Sequence, residues 1–545
     1  MMRTNLKVAA IAATWLAAIA LAGVGQAIGA NSEFDLTAAE EEAYWYSRYN
    51  LGHLTMRSGM GETFMPDRAT VDAMIAMADA DPNDGDTVSP PVNPALLRTV
   101  YAAGDPLWTK PPDPADFASL RWNPASFDTR VTGAALGWTI VKELEWAKQF
   151  HIDAHFGTPE DEYGAQWRFM GLVLTAMAGE QVEAWIELHD AGEMIMADAS
   201  DPFVMLMAIS GLADLLDAEA MPRSATNRYR DPRGAERFLA LADEQFDRIL
   251  GLGVEPMSAR ELAVAIQGLI WYASATAGPE RQALALERVG ELGELLIDAP
   301  KRTAAERAAA LRGLIEVHRT IGSIDALDAS LDLFASLADD FDFAYGIFAS
   351  QAAYTIDDIA SIVGGLNAAR MHGGVDRGLA ERILSGFFEA AVNLSGLQRS
   401  VPPVDSGKGA FEQENPGIFY GYPGIPLSEE VGEFGVAPVF ASSVTFDLET
   451  GAWTEIDERF DTAGAMRAAN EFIWLHTGEV NGFPPVEPLA MVAVSEGTEP
   501  ASDMATEREA AERKGLGDVG NALIYLALVL VGLALIQLRG SGSCN

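Results

Sequence analysis

The chain has 545 residues, 49% of them hydrophobic, and sets 79 Asp and Glu against 37 Lys and Arg for a formal charge of −42. Acids scattered along a chain this rich in apolar residues describe a folded protein with a carboxylate-coated surface, and they exclude a nucleic-acid partner, which needs a basic face. The single cysteine, Cys544, excludes an intrachain disulfide and a cysteine metal site.

Such a surface repels itself at low salt and relies on screening cations, which points to a halophilic source. Residues 1–30 place Arg3 and Lys7 before an apolar run over 8–24 and small residues around Ala27 and Ala30. This is the layout of a secretory signal peptide, or of a signal anchor if it is not cleaved. Residues 31–125, rich in aromatics, Pro and Asp, read as an irregular N-terminal wrap. Within them His53, Met56, Met60 and Met65 have a loose thioether spacing suited to copper(I), although methionines also fill irregular cores.

Residues 126–480 carry a recurring helical pattern. Gly-Leu pairs stand at Gly171-Leu172, Gly211-Leu212, Gly268-Leu269, Gly313-Leu314 and Gly365-Leu366. Ten residues before each glycine is a helix-capping type: Asp161, Asp201, Ser258, Thr303 and Thr355. Ser258 with Glu261, Thr303 with Glu306 and Thr355 with Asp358 form capping boxes or close variants, and Pro202 is a favoured first helical residue. Gly179, Gly278, Gly322 and Gly373 read as stops. A weaker sixth copy covers 461–478, with Ala469 at the small position. Amphipathic second helices are expected over 235–250, 281–297, 324–339 and 379–394, with another at 131–150 ahead of the first copy and a less regular one near 181–194.

The count is six pairs, each an outer amphipathic helix followed by an inner, more apolar one. Small mid-helix residues let inner helices approach closely, and a repeat that cannot bury its face alone must stack on its neighbours. The closed solution is an (α/α)6 toroid and the open one a solenoid; the uneven spacing of the glycines favours the toroid. The expected fold class is therefore mainly α, with a small β-hairpin in an insert at 397–460, where 443–446 and 453–456 flank a turn.

Several places can carry chemistry. The segment FHIDAHFG offers His151, Asp153 and His155; on a strand all three share a face, and on a helix the two histidines do, which suits a divalent metal such as zinc. The segment also stands just before the first expected inner helix, which places it near the mouth of a toroid; the plain alternative is a polar helix end. Among acids at helix starts, most are explained by capping, whereas Asp357 stands beside a cap without that duty and is a catalytic candidate. In the insert, GAFEQENPGIFYGYPG supplies Glu412 and Glu414 for acid–base chemistry, and Phe411, Phe419, Tyr420 and Tyr422 for stacking on sugar rings. A Pro/Gly-rich loop packing its own aromatics would look the same. Asn393 begins a lone glycosylation sequon. Beyond the repeat, 481–517 reads as an acidic stalk, 518–539 as a transmembrane helix built on the apolar run 519–538, and 540–545 as a cytoplasmic tail.

Segments such as ALRGLIEVHRTIGSIDALDASLDLFASLADDF (310–341) resemble the inner–outer helix step of the six-hairpin glycosidase-like superfamily. The resemblance spans roughly 130–480 and is one of pattern; no family-specific catalytic motif is matched. It implies an active site at the mouth where inner helices begin. The first functional reading is a surface-anchored toroid that binds or processes carbohydrate or another envelope polymer. The alternatives are a non-catalytic scaffold or accessory subunit of a membrane complex, and a metal-handling surface protein.

Overall fold

The computed structural model describes residues 34–79, 83, 88, 95–109, 121–152, 164–221, 226–252, 257–276, 278–398 and 439–480, the side chain of residue 56 excepted. The chain divides into two compact units, 1–488 and 489–545, and every described residue belongs to the first. Among the described residues thirteen α-helices and ten short strands are present, so the protein is mainly helical with small sheets. The helices are α1 (Leu36–His53), α2 (Arg68–Ala78), α3 (Gly133–Ile152), α4 (Gly164–Asp190), α5 (Asp201–Asp217), α6 (Pro232–Gly251) and α7 (Ala259–Ala275). After them come α8 (Pro279–Asp298), α9 (Ala304–Ile321), α10 (Ile324–Asp340), α11 (Ile356–His372), α12 (Arg377–Phe388) and α13 (Thr462–Thr477).

Six of these helices pack in a cycle: α3 on α5, α5 on α7, α7 on α9, α9 on α11, α11 on α13, and α13 back on α3. A further helix backs each member, α4 on α3, α6 on α5, α8 on α7, α10 on α9, α12 on α11 and α1 on α13. The two sets differ in their sequences as their positions require. In α5 every residue is buried except Asp214 and Asp217, so it is apolar all round. In α6 the buried residues Ala235, Phe238, Ala242, Gln245, Phe246 and Ile249 form one stripe at helical spacing and the rest faces water. Each fully buried Leu, Ile or Phe contributes about 1.5–3 kcal/mol of transfer free energy.

The small mid-helix residues do what their spacing suggests. A Cβ on Gly268 of α7 would lie 2.4 Å from the carbonyl oxygen of Phe203 in α5, and one on Gly365 of α11 would lie 2.3 Å from that of Ala308 in α9. Backbone meets backbone at these crossings, so alanine does not fit without moving a helix. The three capping boxes of α7, α9 and α11 are formed in both directions, each cap being worth about 1 kcal/mol. Gly322 and Gly478 end α9 and α13 in the left-handed conformation, at φ 74° in each case. Gly373 ends α11 at φ −76°, outside that conformation, whereas Gly278 is no stop but the residue before α8, at φ −86°.

Three expectations are overturned. The first pair was expected to run outer helix then inner helix, yet α3 is in the cycle and α4 lies outside it. Gly171, Leu172 and Gly179 therefore sit within an outer helix that runs unbroken to Asp190. The charges of α3 mimic a solvent face, but Lys142, Glu143 and Glu145 are buried. The phase is thus inner helix then outer helix, and the sixth outer position falls to α1. The stretch 31–125 is accordingly more than a wrap. Asp201 is no cap either: it is the first residue of α5, and its Oδ2 accepts from the Ala197 N–H at 2.7 Å.

Two three-stranded antiparallel sheets attach to the starts of cycle helices. The expected hairpin is β8 (Ser443–Asp447) with β9 (Ala452–Asp457), and β7 (Ala353–Thr355) joins it immediately before α11. The other sheet places β10 (Phe460–Asp461) beside β3 (Ala103–Trp108), which also pairs with β4 (Trp122–Asp128), and β10 leads directly into α13. Among the described residues no helix is long and apolar enough to cross a membrane. The runs 8–24 and 519–538 lie outside the described residues.

Candidate functional site

The sheets fix where α11 and α13 begin. Ile356 N–H donates to Ser442 O at 2.9 Å, and Thr462 N–H donates to Ala102 O at 3.0 Å. Asp357 and Asp461 are thereby held at the rim of the cycle, lining a cavity of about 180 Å³ together with Trp138, Arg260, Glu261 and Arg467.

Asp357 is clamped from two sides. Its Oδ2 accepts from Arg260 Nη1 and its Oδ1 from Arg467 Nη1, each at 2.5 Å. The second Nη of Arg260 bonds Asp358, which also accepts from the Thr355 N–H as part of the capping box. Burial alone would raise the pKa of Asp357, but the charges of Arg467 and Arg260 outweigh it and hold the carboxyl below its ordinary value. Asp461 responds in the opposite sense. Burial, followed by the negative charge of Asp357, pushes its pKa up to about 6, against the lowering effect of the Gly464 and Ala463 N–H groups. One cavity thus holds a fixed anion and a carboxyl that keeps its proton into the mildly acidic range. Trp138 supplies an aromatic wall, with the Arg467 guanidinium 5.8 Å from its ring centre.

Below the rim the contacts cross the cycle. Arg312 of α9 bonds Glu471 of α13, and Trp271 of α7 lies 6.4 Å from Trp474 of α13. Neither pair belongs to neighbouring members of the cycle, so these side chains fill its interior. Gly364 of α11 makes room for the first pair, since a Cβ there would lie 2.5 Å from Glu471 Oε2. Burial raises the Glu471 pKa in spite of Arg312 and Arg467.

Of the residues singled out in the sequence, Asp357 is at this site. Glu412, Glu414, Phe411, Phe419, Tyr420 and Tyr422 lie outside the described residues, as do Asp153 and His155. His151 is described, and it is at the far end of α3 from the rim. Its Nε2 accepts from the Arg228 N–H at 3.1 Å, its ring meets Tyr229 edge-on at 5.1 Å, and burial followed by Arg228 and Arg168 lowers its pKa to about 4. That is the environment of a neutral core histidine; the expectation that it lies near the mouth fails with the phase of the first pair. Among the described residues no group of three His, Cys, Asp or Glu could hold a metal ion. His53 is buried between Trp108 and Trp122, Met60 is buried and Met65 is 59% exposed, and the side chain of Met56 lies outside the described residues.

Sequence reasoning missed Arg260, Arg467, Trp138 and the role of Asp461. Arg260 carried a readable signal: a cation in the first turn of a helix opposes the macrodipole and needs another reason to be there. Comparison with known proteins adds no further constraint, because no family model matches the chain and no curated protein or solved structure matches it.

Proposed function

We propose that the helix cycle is an (α/α)6 toroid held outside the cytoplasm by a C-terminal anchor, and that its mouth binds and cleaves the terminal unit of a carbohydrate or similar envelope polymer. The observation that carries this reading is the pair Asp357 and Asp461, two carboxyls of one cavity whose pKa values are driven in opposite directions, which is how acid and charge-stabiliser roles are separated in glycoside cleavage. Asp461 donates its proton to the departing glycosidic oxygen, Asp357 faces the positive charge that develops on the sugar, and water completes the hydrolysis. A volume of about 180 Å³ is below the ~300–1,000 Å³ of sites for larger ligands, so one sugar unit enters at a time.

The test is a screen of the purified full chain in molar salt against polysaccharides and envelope glycans, scored by new reducing ends. Cleavage should fall as pH rises above about 6, and Asp461→Asn should abolish turnover while leaving binding in place. No binding and no cleavage across the glycans, or unchanged turnover in Asp461→Asn, overturns the reading. Digestion of intact cells by an added protease tests the placement: the folded part should be cut from the outside.

A second reading, a non-catalytic scaffold, draws on a separate observation. Both oxygens of Asp357 are already taken by guanidinium groups, which suits a structural clamp as well as a reactive centre. Under that reading Asp461→Asn binds every partner as the parent does.

A further inference from the structure

Beside the mouth, and sharing Asp198 with it, lies a second cavity of about 520 Å³ between α4, α5, α6 and α8. This volume is within the ~300–1,000 Å³ of small-molecule sites. Its walls are apolar, with Trp185, Phe203, Ile249 and Leu292 prominent. Behind these walls lie two buried polar groups whose unpaired atoms do not face the cavity. Gln245 is 3% exposed; its Nε2 donates to Pro202 O at 3.0 Å, but its Oε1 accepts no hydrogen bond among the described residues. Trp185 is 2% exposed, and its Nε1 donates none.

The charge of the lining is out of character. In a chain of net charge −42, the cavity is lined by two arginines, Arg248 and Arg288, against one carboxylate, Asp198. Arg288 shares one Nη with Glu291, while its Nε finds no acceptor; Arg248 makes no ion pair among the described residues. We propose that this cavity binds an alkyl carboxylate, its chain against Trp185, Phe203, Ile249 and Leu292 and its head group on Arg248 and Arg288. Guanidinium groups suit a carboxylate because both partners are planar and can bond in parallel.

The inference is independent of glycan chemistry at the mouth. Its test is titration calorimetry of the full chain with decanoate and with decanol in molar salt. One decanoate should bind per chain, about tenfold or more tighter than decanol, as expected for charge-assisted hydrogen bonds. Arg248→Gln with Arg288→Gln should erase that preference while decanol still binds, Arg248→Lys with Arg288→Lys should keep part of it, and Ala199→Trp, which fills the cavity, should stop both ligands. Thermal melts identify any variant that has lost its fold. The proposal is overturned if neither ligand binds the parent chain, if the two bind it equally, or if folded Ala199→Trp binds as the parent does. Because the readout involves no sugar, its failure leaves the mouth reading standing, and the converse holds as well.

Discussion

The two ends of the helix cycle use charge in different ways. Where the cycle helices begin, Asp357 is held between Arg260 and Arg467, with 27% of the Asp357 side chain and 28% of the Arg260 side chain still exposed. Where they end, the chain folds back over the opening. Asn367 donates to Glu479 O at 2.7 Å, Arg370 to Leu475 O at 3.2 Å, and Arg312 to the carbonyl of Val480, which is itself buried. Arg312 and Glu471 below this cover are 7% and 1% exposed. Water reaches Asp357 and Arg260 and is kept from Arg312 and Glu471, although Glu40, which pairs with Arg370 at 3.0 Å near the second end, is 29% exposed. The candidate site is placed where the cavity-lining ions Asp357 and Arg260 remain open to a solute.

The largest predicted effect follows from it. Arg312→Leu leaves Glu471 buried without its partner and should cost about 3–5 kcal/mol. Asp357→Ala strands Arg467 but leaves Arg260 its bond to Asp358 and its access to solvent, and should cost less, about 1–3 kcal/mol. Denaturant midpoints in molar salt measure both. Equal losses would mean that the ends are equally dry and would remove the argument for a one-sided site.

A smaller effect sharpens the same contrast. A Cβ on Gly364 meets Glu471 Oε2 at 2.5 Å and Arg312 Nη1 at 2.9 Å, inside the sealed end. A Cβ on Gly464 meets Ile356 Cγ2 at 2.6 Å and Asp461 Oδ2 at 2.7 Å, at the rim. Both substitutions overpack, at about 1–3 kcal/mol, but the rim side chains can swing outward and the locked ion pair cannot. Gly364→Ala should therefore lower the thermal midpoint more than Gly464→Ala.

The same contrast explains what could be read from the sequence. Capping boxes and close-approach glycines are local in the chain, so Ser258, Thr303, Thr355, Gly268 and Gly365 declared the cycle helices correctly. Interior charges are not local. Lys142, Glu143 and Glu145 gave α3 the look of a solvated helix, and that reversed the order of the first pair and put His151 at the wrong end. The partners that neutralise such charges come from distant residues, as Glu471 does for Arg312 and Arg467 for Asp357, and no spacing within one helix reveals them. The N-terminal helix α1 went unrecognised as a ring element for a related reason, since its partner α13 lies more than 400 residues away along the chain.

The smallest effect is also the most specific. The pKa of Asp461 is raised from the ordinary 3.8 to about 6 in the folded protein, so the folded state holds the proton more tightly than the unfolded one. Its contribution to stability is complete below about pH 4 and is lost as pH rises through 6. Glu42 and Asp201, both raised to about 7 by burial, titrate the same way over an overlapping range. Asp357, shifted down, has the opposite sign and loses its contribution only as pH falls below the ordinary carboxylate range. Subtracting the stability curve of Asp461→Asn from that of the parent cancels Glu42 and Asp201 and leaves Asp461 alone. The difference should turn against the parent between pH 4 and 6 and be flat from there to 7. Solvent at the rim keeps its size modest. A flat difference across the whole range would mean that Asp461 ionises like a surface carboxyl, and the contrast between the two acids of the mouth would vanish with it.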